Sequence, residues 1–145
     1  MTDIDRTAPV QAQAEAHTTA SCGAVFGVLQ DIGSWSIVYP ELRDLQADGP
    51  AALGSTFRFK SGPMQIEANV TALVKDSLLA FEGKGKGASS TYVFHVDEAD
   101  GGTLIRGAQS MNGLAVKTMK PMLQRIAETS LQEWVDAIAR EAAQR

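Results

Sequence analysis

Few side chains in this sequence combine the types and spacing that chemistry needs. The two histidines, His17 and His95, fall in separate segments. Either is a conceivable general base, but neither has a recognisable partner at a fixed offset, and surface positions suit both. Cys22 is the lone cysteine. It forms no internal disulfide, no Cys/His grouping around it offers a metal site, and it is read as structural. The run Gly83-Lys84-Gly85-Lys86-Gly87 superficially resembles a phosphate-binding loop. It lacks the GxxxxGKS/T spacing and lies between predicted strands rather than ahead of a helix, so it reads as a mobile glycine-rich link. Arg58, Glu67, Asn69, Glu82, His95 and Arg106 share the polar register of alternating segments, which is most simply a solvated sheet face. A one-residue bulge would flip that register and carry Arg58 or Arg106 inward. A guanidinium there could anchor a carboxylate or polarise a carbonyl. No metal and no cofactor is expected.

Composition narrows the class. At 145 residues, 44% hydrophobic and 21% charged, the chain suits one globular domain with a core of its own. A net charge of −4 gives no basic footprint for nucleic acid and speaks against docking on anionic membranes. No apolar run approaches the roughly 18 residues of a membrane span, so stable membrane insertion is not expected. Residues 1–8 are expected to be a disordered lead-in and 9–145 the domain. Met1 to Thr7 is polar and acidic without an apolar stretch, unlike a signal peptide, which points to the cytoplasm.

The elements that must position these residues follow from periodicity. From Lys117 to Ala142, the residues Met119, Met122, Leu123, Ile126, Ala127, Leu131, Trp134, Val135, Ile138, Ala139 and Ala142 recur in steps of three and four, one apolar face of a helix. At about 1.5 Å per residue it runs about 40 Å and needs a wide surface to cover it. Pro121 either starts the regular helix or kinks it. Period-two alternation predicts strands at Val10 to Thr18, Leu42 to Ala47, Gly54 to Lys60, Met64 to Val74, Leu78 to Gly83, Thr91 to Val96 and Thr103 to Met111. In the fourth, Met64, Ile66, Ala68, Val70, Ala72 and Val74 share one face. Turns fall at Asp48-Gly49-Pro50, Ser61-Gly62-Pro63, Lys75-Asp76-Ser77 and Asp100-Gly101-Gly102, the last needing positive φ. A short helix capped by Thr19 or Ser21, with Val25, Phe26, Leu29 and Ile32 on one face, and a second ended by Pro40 follow the first strand. The order is strand, two short helices, six strands, long helix, an α+β pattern.

This order, with its landmarks, resembles the START-like (SRPBCC) superfamily and within it the bacterial polyketide cyclase/dehydrase-like branch. The landmarks are the first strand, Val25-Phe26, Asp31 with Trp35 and Pro40, Gly54 with Phe57, Tyr92 and Phe94, Gly102-Thr103, and the amphipathic terminal helix. The resemblance covers nearly all of residues 9–143. It implies a helix-grip fold, a seven-stranded curved antiparallel sheet around the C-terminal helix with a deep cavity between them. Relatives bind lipids, sterols, polyketides, quinones or hormones there, and some catalyse cyclisation or dehydration, so fold alone leaves function open.

Placed on that fold, the inward alternants Phe57, Phe59, Ile66, Ala68, Val70, Phe81, Tyr92, Phe94, Ile105, Gln109 and Met111 form a mostly greasy wall, with Tyr92 and Gln109 as its hydrogen-bonding groups. Met119, Met122, Leu123 and Ile126 line it from the helix, either as core filler or as an adaptable pocket lining. Trp35 and Tyr39 match the segment that packs by the cavity opening in relatives, and Trp134 reads as core. The leading expectation is a monomer or homodimer that binds a small hydrophobic molecule, with a few polar groups setting its orientation. A cofactor-independent cyclase or dehydratase is the alternative, with Tyr92, Gln109, Arg58 or Arg106 as candidate catalytic groups. A quinone- or protein-partner interaction module is a third reading.

Overall fold

Seven of the alternating segments pair into one antiparallel sheet in a computed structural model that describes residues 2–61 and 64–145. They are β1 (Val10–Thr18), β2 (Arg43–Ala47), β3 (Thr56–Ser61), β4 (Met64–Val74), β5 (Leu78–Gly85), β6 (Ala88–Ala99) and β7 (Gly102–Asn112), ordered β1-β7-β6-β5-β4-β3-β2. Between β1 and β2 lie α1 (Cys22–Gln30), a 3-10 turn (Ile32–Ser34) and α2 (Trp35–Val38). After β7 come α3 (Leu114–Thr118) and α4 (Lys120–Gln144). The predicted turn at Ser61-Gly62-Pro63 falls partly on residues 62 and 63, outside the described residues.

Local chemistry explains the joints. Ser21 Oγ accepts a hydrogen bond from the Ala24 amide at 3.1 Å and caps α1. The Trp35 indole donates to the Val28 and Leu29 carbonyls at 3.2 and 3.0 Å, satisfying the free end of α1 and fixing α2 beneath it. Asp100 and Gly101 both have positive φ, at 48° and 77°, between the paired Ala99 and Gly102, the two-residue hairpin geometry. Pro121 sits in the first turn of α4, where its missing N–H costs nothing. The long helix is thus interrupted at Met119, and α3 is a separate short piece before it.

Three expectations need correction. Gly83 and Gly85 do not belong to a mobile link: they continue β5 to a tight turn at Lys86-Gly87, with Gly85 opposite Ala88. They are glycines because the Ile66 and Met64 side chains lie across them, 2.8 Å from where a Cβ would stand. The alternation in β4 is broken after Val70, which pairs with Phe81 while Ala72 pairs with Ala80. Thr71 is the extra residue of a bulge. Leu73 therefore turns to the main core, Ala72 to the opposite face, and Val74 is exposed. The lead-in is not loose either. Ile4 is 4% exposed and packs with Ala80 and Val93 on the convex face. Beside it the Asp5 amide donates to Ser110 Oγ at 3.0 Å, and Asn112 Nδ2 donates to the Asp5 carboxylate at 3.0 Å.

On the concave face, α4 runs along β1 and over β7. The Gln124 amide group bonds the backbone of Gln11, and Gln132 Nε2 donates to the Glu15 carbonyl at 3.0 Å. The contact is tight at Gly107, where an added Cβ would stand 3.0 Å from Val135 Cγ1 and 3.3 Å from both Leu131 Cδ1 and Phe94 Cε1. We predict that Gly107→Val lowers stability by about 1–3 kcal/mol through overpacking. Urea unfolding measures it, and an unchanged midpoint would contradict this tight helix-on-sheet contact.

Candidate functional site

The residues expected to line the cavity divide sharply. Trp35, Phe57, Phe59, Ile66, Ala68, Val70, Phe81, Phe94 and Ile105 are buried on the concave side as the alternation requires, yet they fill the space instead of walling it. Trp35, 2% exposed, lies edge-on to Phe57 and Trp134, with ring centroids 5.4 Å away in each case, and tilted on Phe81 at 5.5 Å. Phe94 meets Trp134 edge-on at 5.1 Å. Rings at these separations and angles are packed aromatic core. The deep cavity implied by the resemblance is, at its centre, occupied by side chains.

Tyr39 closes one side of that cluster, not an opening. Its ring stacks on Trp134 at 5.7 Å, and its hydroxyl lies 3.5 Å from the Glu133 carboxylate and also bonds Ser130. Burial raises its phenol above the ordinary tyrosine range, and the negative charges of Glu133 and Glu41 add to this against the Ser130 bond. Glu133 and Ser130 carried no signal in the sequence as Tyr39 partners, because that contact joins distant segments.

Past the cluster, toward the β5–β6 turn, the apolar packing is less complete. Here Met64, Tyr92, Met111 and Leu123 are only partly buried against the core. The first turns of α4 leave Met119, Met122 and Ile126 at 43%, 51% and 50% exposure. These three were expected to line an enclosed pocket; instead they lie outside it. The stripe they form passes Ser130 and Glu133 farther along the helix, where Tyr39 covers it.

The polar centre of this open end is one pair. Gln109, 5% exposed, donates from Nε2 to the Tyr92 hydroxyl at 2.8 Å, and the two residues sit directly opposite on β7 and β6. Tyr92 is sandwiched between Phe81 at 4.7 Å and Trp134 at 5.6 Å. Desolvation is the main reason its phenol is raised far above the ordinary value, with Tyr39 adding to it. Tyr92 therefore stays protonated, and no acceptor for its hydrogen is found among the described residues. The pair can orient a polar group on an apolar ligand, but it is no base at neutral pH.

The other chemical candidates lie on the outside. Arg106 is half exposed on the convex face and paired with Asp97 at 2.9 Å. Arg58 donates to Gln46 at 3.1 Å, also exposed. Each lines an open recess there, of about 410 and 500 Å³, facing solvent. Register shifts occur between Arg43 and Gln46 in β2 and at Thr71 in β4, and neither turns Arg58 or Arg106 inward. His17 Nε2 lies 2.9 Å from the Ala99 carbonyl at the surface, and the half-buried Cys22 receives a weak bond from Thr103. Among the described residues, no group of acidic, histidine or cysteine side chains could hold a metal ion.

No family model and no curated protein matches this sequence. Solved structures do match. A hypothetical protein from Helicobacter pylori superposes with a TM-score of 0.84 at 18% identity, covering 98% of this chain and 97% of that one. A START superfamily protein from Mycobacterium smegmatis gives 0.76 at 14%, covering 92% and 97%. Ara h 8.0201 gives 0.66 at 11%, covering 93% and 98%. At such identities the likeness is one of fold. The fold is the START-like helix grip, a curved seven-stranded antiparallel sheet closed on a long C-terminal helix.

Because both tyrosines of the chain are raised by burial, each should ionise at higher pH in the native protein than in the unfolded chain. Sign matters here: the unfolded tyrosines lose protons near pH 10 while the native ones keep theirs. Stability is therefore intact below about pH 10 and falls as pH rises above it. An absorbance titration should show less tyrosinate in the native protein than in the unfolded chain at pH 10, where the two unfolded tyrosines are each about half ionised. One tyrosine titrating near its ordinary value in the native state would contradict the geometry.

Proposed function

We infer that the protein binds a small apolar molecule at the open end of the helix grip, between the start of α4 and the end of the sheet. The observation that carries this reading is the half-buried quartet Met64, Tyr92, Met111 and Leu123 beside the exposed Met119, Met122 and Ile126. Apolar burial supplies the driving force, at roughly 25 cal/mol per Å² before costs. Methionine side chains reshape at low cost, so the lining suits a ligand of variable shape. The Tyr92–Gln109 pair gives one fixed polar contact, with the phenol hydrogen directed to an acceptor on the ligand. Both the structural likeness to a START superfamily protein and the greasy lining support binding.

The cyclase reading has less to stand on. Of its candidate groups Tyr92, Gln109, Arg58 and Arg106, the two arginines are exposed on the outer face. A phenol held protonated is a donor and not a proton acceptor, so turnover would rest on Tyr92 as an acid and on ligand folding alone.

Titration with a neutral apolar fluorophore, N-phenyl-1-naphthylamine, tests the reading. It should saturate, and Met111→Asp should weaken it about tenfold. Arg106→Ala and Arg58→Ala, on the outer face, should leave it unchanged. Tyr92→Phe should spare this probe while weakening a carbonyl-bearing analogue. Probe fluorescence that never saturates, or that Met111→Asp leaves unaltered, would sink the proposal.

A further inference from the structure

The net charge of −4 is unevenly spread, although the Asp5 carboxylate stands by Asn112 at the open end and Lys75 by Asp76 at the other. At the open end, Lys86 at the β5–β6 turn, Lys117 on α3, and Lys120 and Arg125 at the start of α4 are all exposed. None is in an ion pair among the described residues. The sequence holds no acidic residue between Asp100 and Glu128, and the first turn of α4 contains none to offset the helix N-terminus. The hairpin tip touches α3, the Ala115 amide donating to the Gly87 carbonyl at 3.2 Å, which brings the Lys86 turn beside the segment that carries Lys117. The opposite end of the strands is acidic. Asp76 lies at the β4–β5 turn, with Asp97, Glu98 and Asp100 at the β6–β7 hairpin.

Within the basic end stand exposed apolar side chains: Leu114 at 79%, then Met119, Met122 and Ile126. Apolar tips among unpaired lysines and an arginine are the chemistry of a surface that meets anionic headgroups and dips into the acyl boundary. Nucleic acid fits less well, since this end offers no exposed aromatic ring for bases to stack on. No helix is long and apolar enough to cross a membrane, so the contact is peripheral.

We propose that this end of the protein docks on a bilayer containing anionic lipid, with Lys86, Lys117, Lys120 and Arg125 on the headgroups and Leu114, Met119 and Met122 inserted between them. The acidic far end orients the molecule so that the open end of the grip faces the bilayer. Docking adds to the binding reading by placing the opening where apolar molecules are stored. It is measured without any ligand, so either can fail while the other stands.

Vesicle co-sedimentation of the full chain decides it, using phosphatidylcholine alone and phosphatidylcholine with about one third phosphatidylglycerol. Binding is expected to the anionic vesicles only and should fall as salt is raised. Lys117→Glu with Lys120→Glu should cut it about thirtyfold or more, and Met122→Asp should also reduce it. Lys75→Glu, at the far end, should leave it unchanged. All these positions are exposed, and circular dichroism checks that each variant is folded. Failure to pellet with anionic vesicles, equal binding to phosphatidylcholine alone, or an equal loss from Lys75→Glu would each overturn the proposal.

Discussion

Trp134 is the contact on which the rest of the structure leans. Its indole meets Phe81, Tyr92 and Phe94 from the sheet and Trp35 and Tyr39 from the α2 segment. One side chain of α4 thereby fixes the helix to both layers that enclose it. Losing a buried tryptophan costs about 3–5 kcal/mol, and here it would also free the partners whose positions it sets. Trp35 extends the same lock to α1 through its bonds to the Val28 and Leu29 carbonyls. Gly107 lets the helix settle close enough for the rings to meet.

This lock is one-sided. It grips the C-terminal half of α4, where Leu131, Trp134, Val135, Ile138 and Ala142 are buried, and leaves the first turns with lighter support. Those turns are anchored by the amide group of Gln124 on Gln11 and by Leu123 on the core edge. Segments with few buried contacts open at lower free-energy cost than the core they adjoin. The half of the helix that lacks ring contacts is also the half that carries the exposed Met122 and Ile126. Rigid body and adaptable end are thus divided along a single helix.

Much of this was legible in the sequence because its signals are local and periodic. Alternation identified the inward side of β3, β5, β6 and β7, so Phe57, Phe81, Tyr92 and Gln109 fall on the concave side as read. Three features escaped because their causes are not local. Gly83 and Gly85 read as a link, yet what demands glycine is the Ile66 and Met64 side chains of the neighbouring strand. The bulge at Thr71 leaves no mark in composition, and it exchanges the roles of Ala72 and Leu73. Period 3.6 placed Met119, Met122 and Ile126 beside the apolar face, but periodicity does not tell which stretch of that face is covered. Net charge is silent for a similar reason: a sum of −4 says nothing about which end holds the lysines.

The ring cluster also limits what the open end can accept. A molecule advancing from Met111 and Leu123 toward the centre meets Tyr92, itself stacked on Phe81 at 4.7 Å and edge-on to Trp134 at 5.6 Å. Aromatic pairs contribute about 0.5–1.5 kcal/mol each beyond area burial. Separating Tyr92 from both neighbours would therefore cost up to about 3 kcal/mol, besides disturbing the Gln109 bond. Methionine rearrangement at the rim carries no such cost. Under the proposed reading, a ligand would therefore sit against the Tyr92 hydroxyl with its apolar body among Met64, Met111 and Leu123. Deeper seating would need the Trp134 lock to loosen, and with it the contact that holds the sheet to the helix.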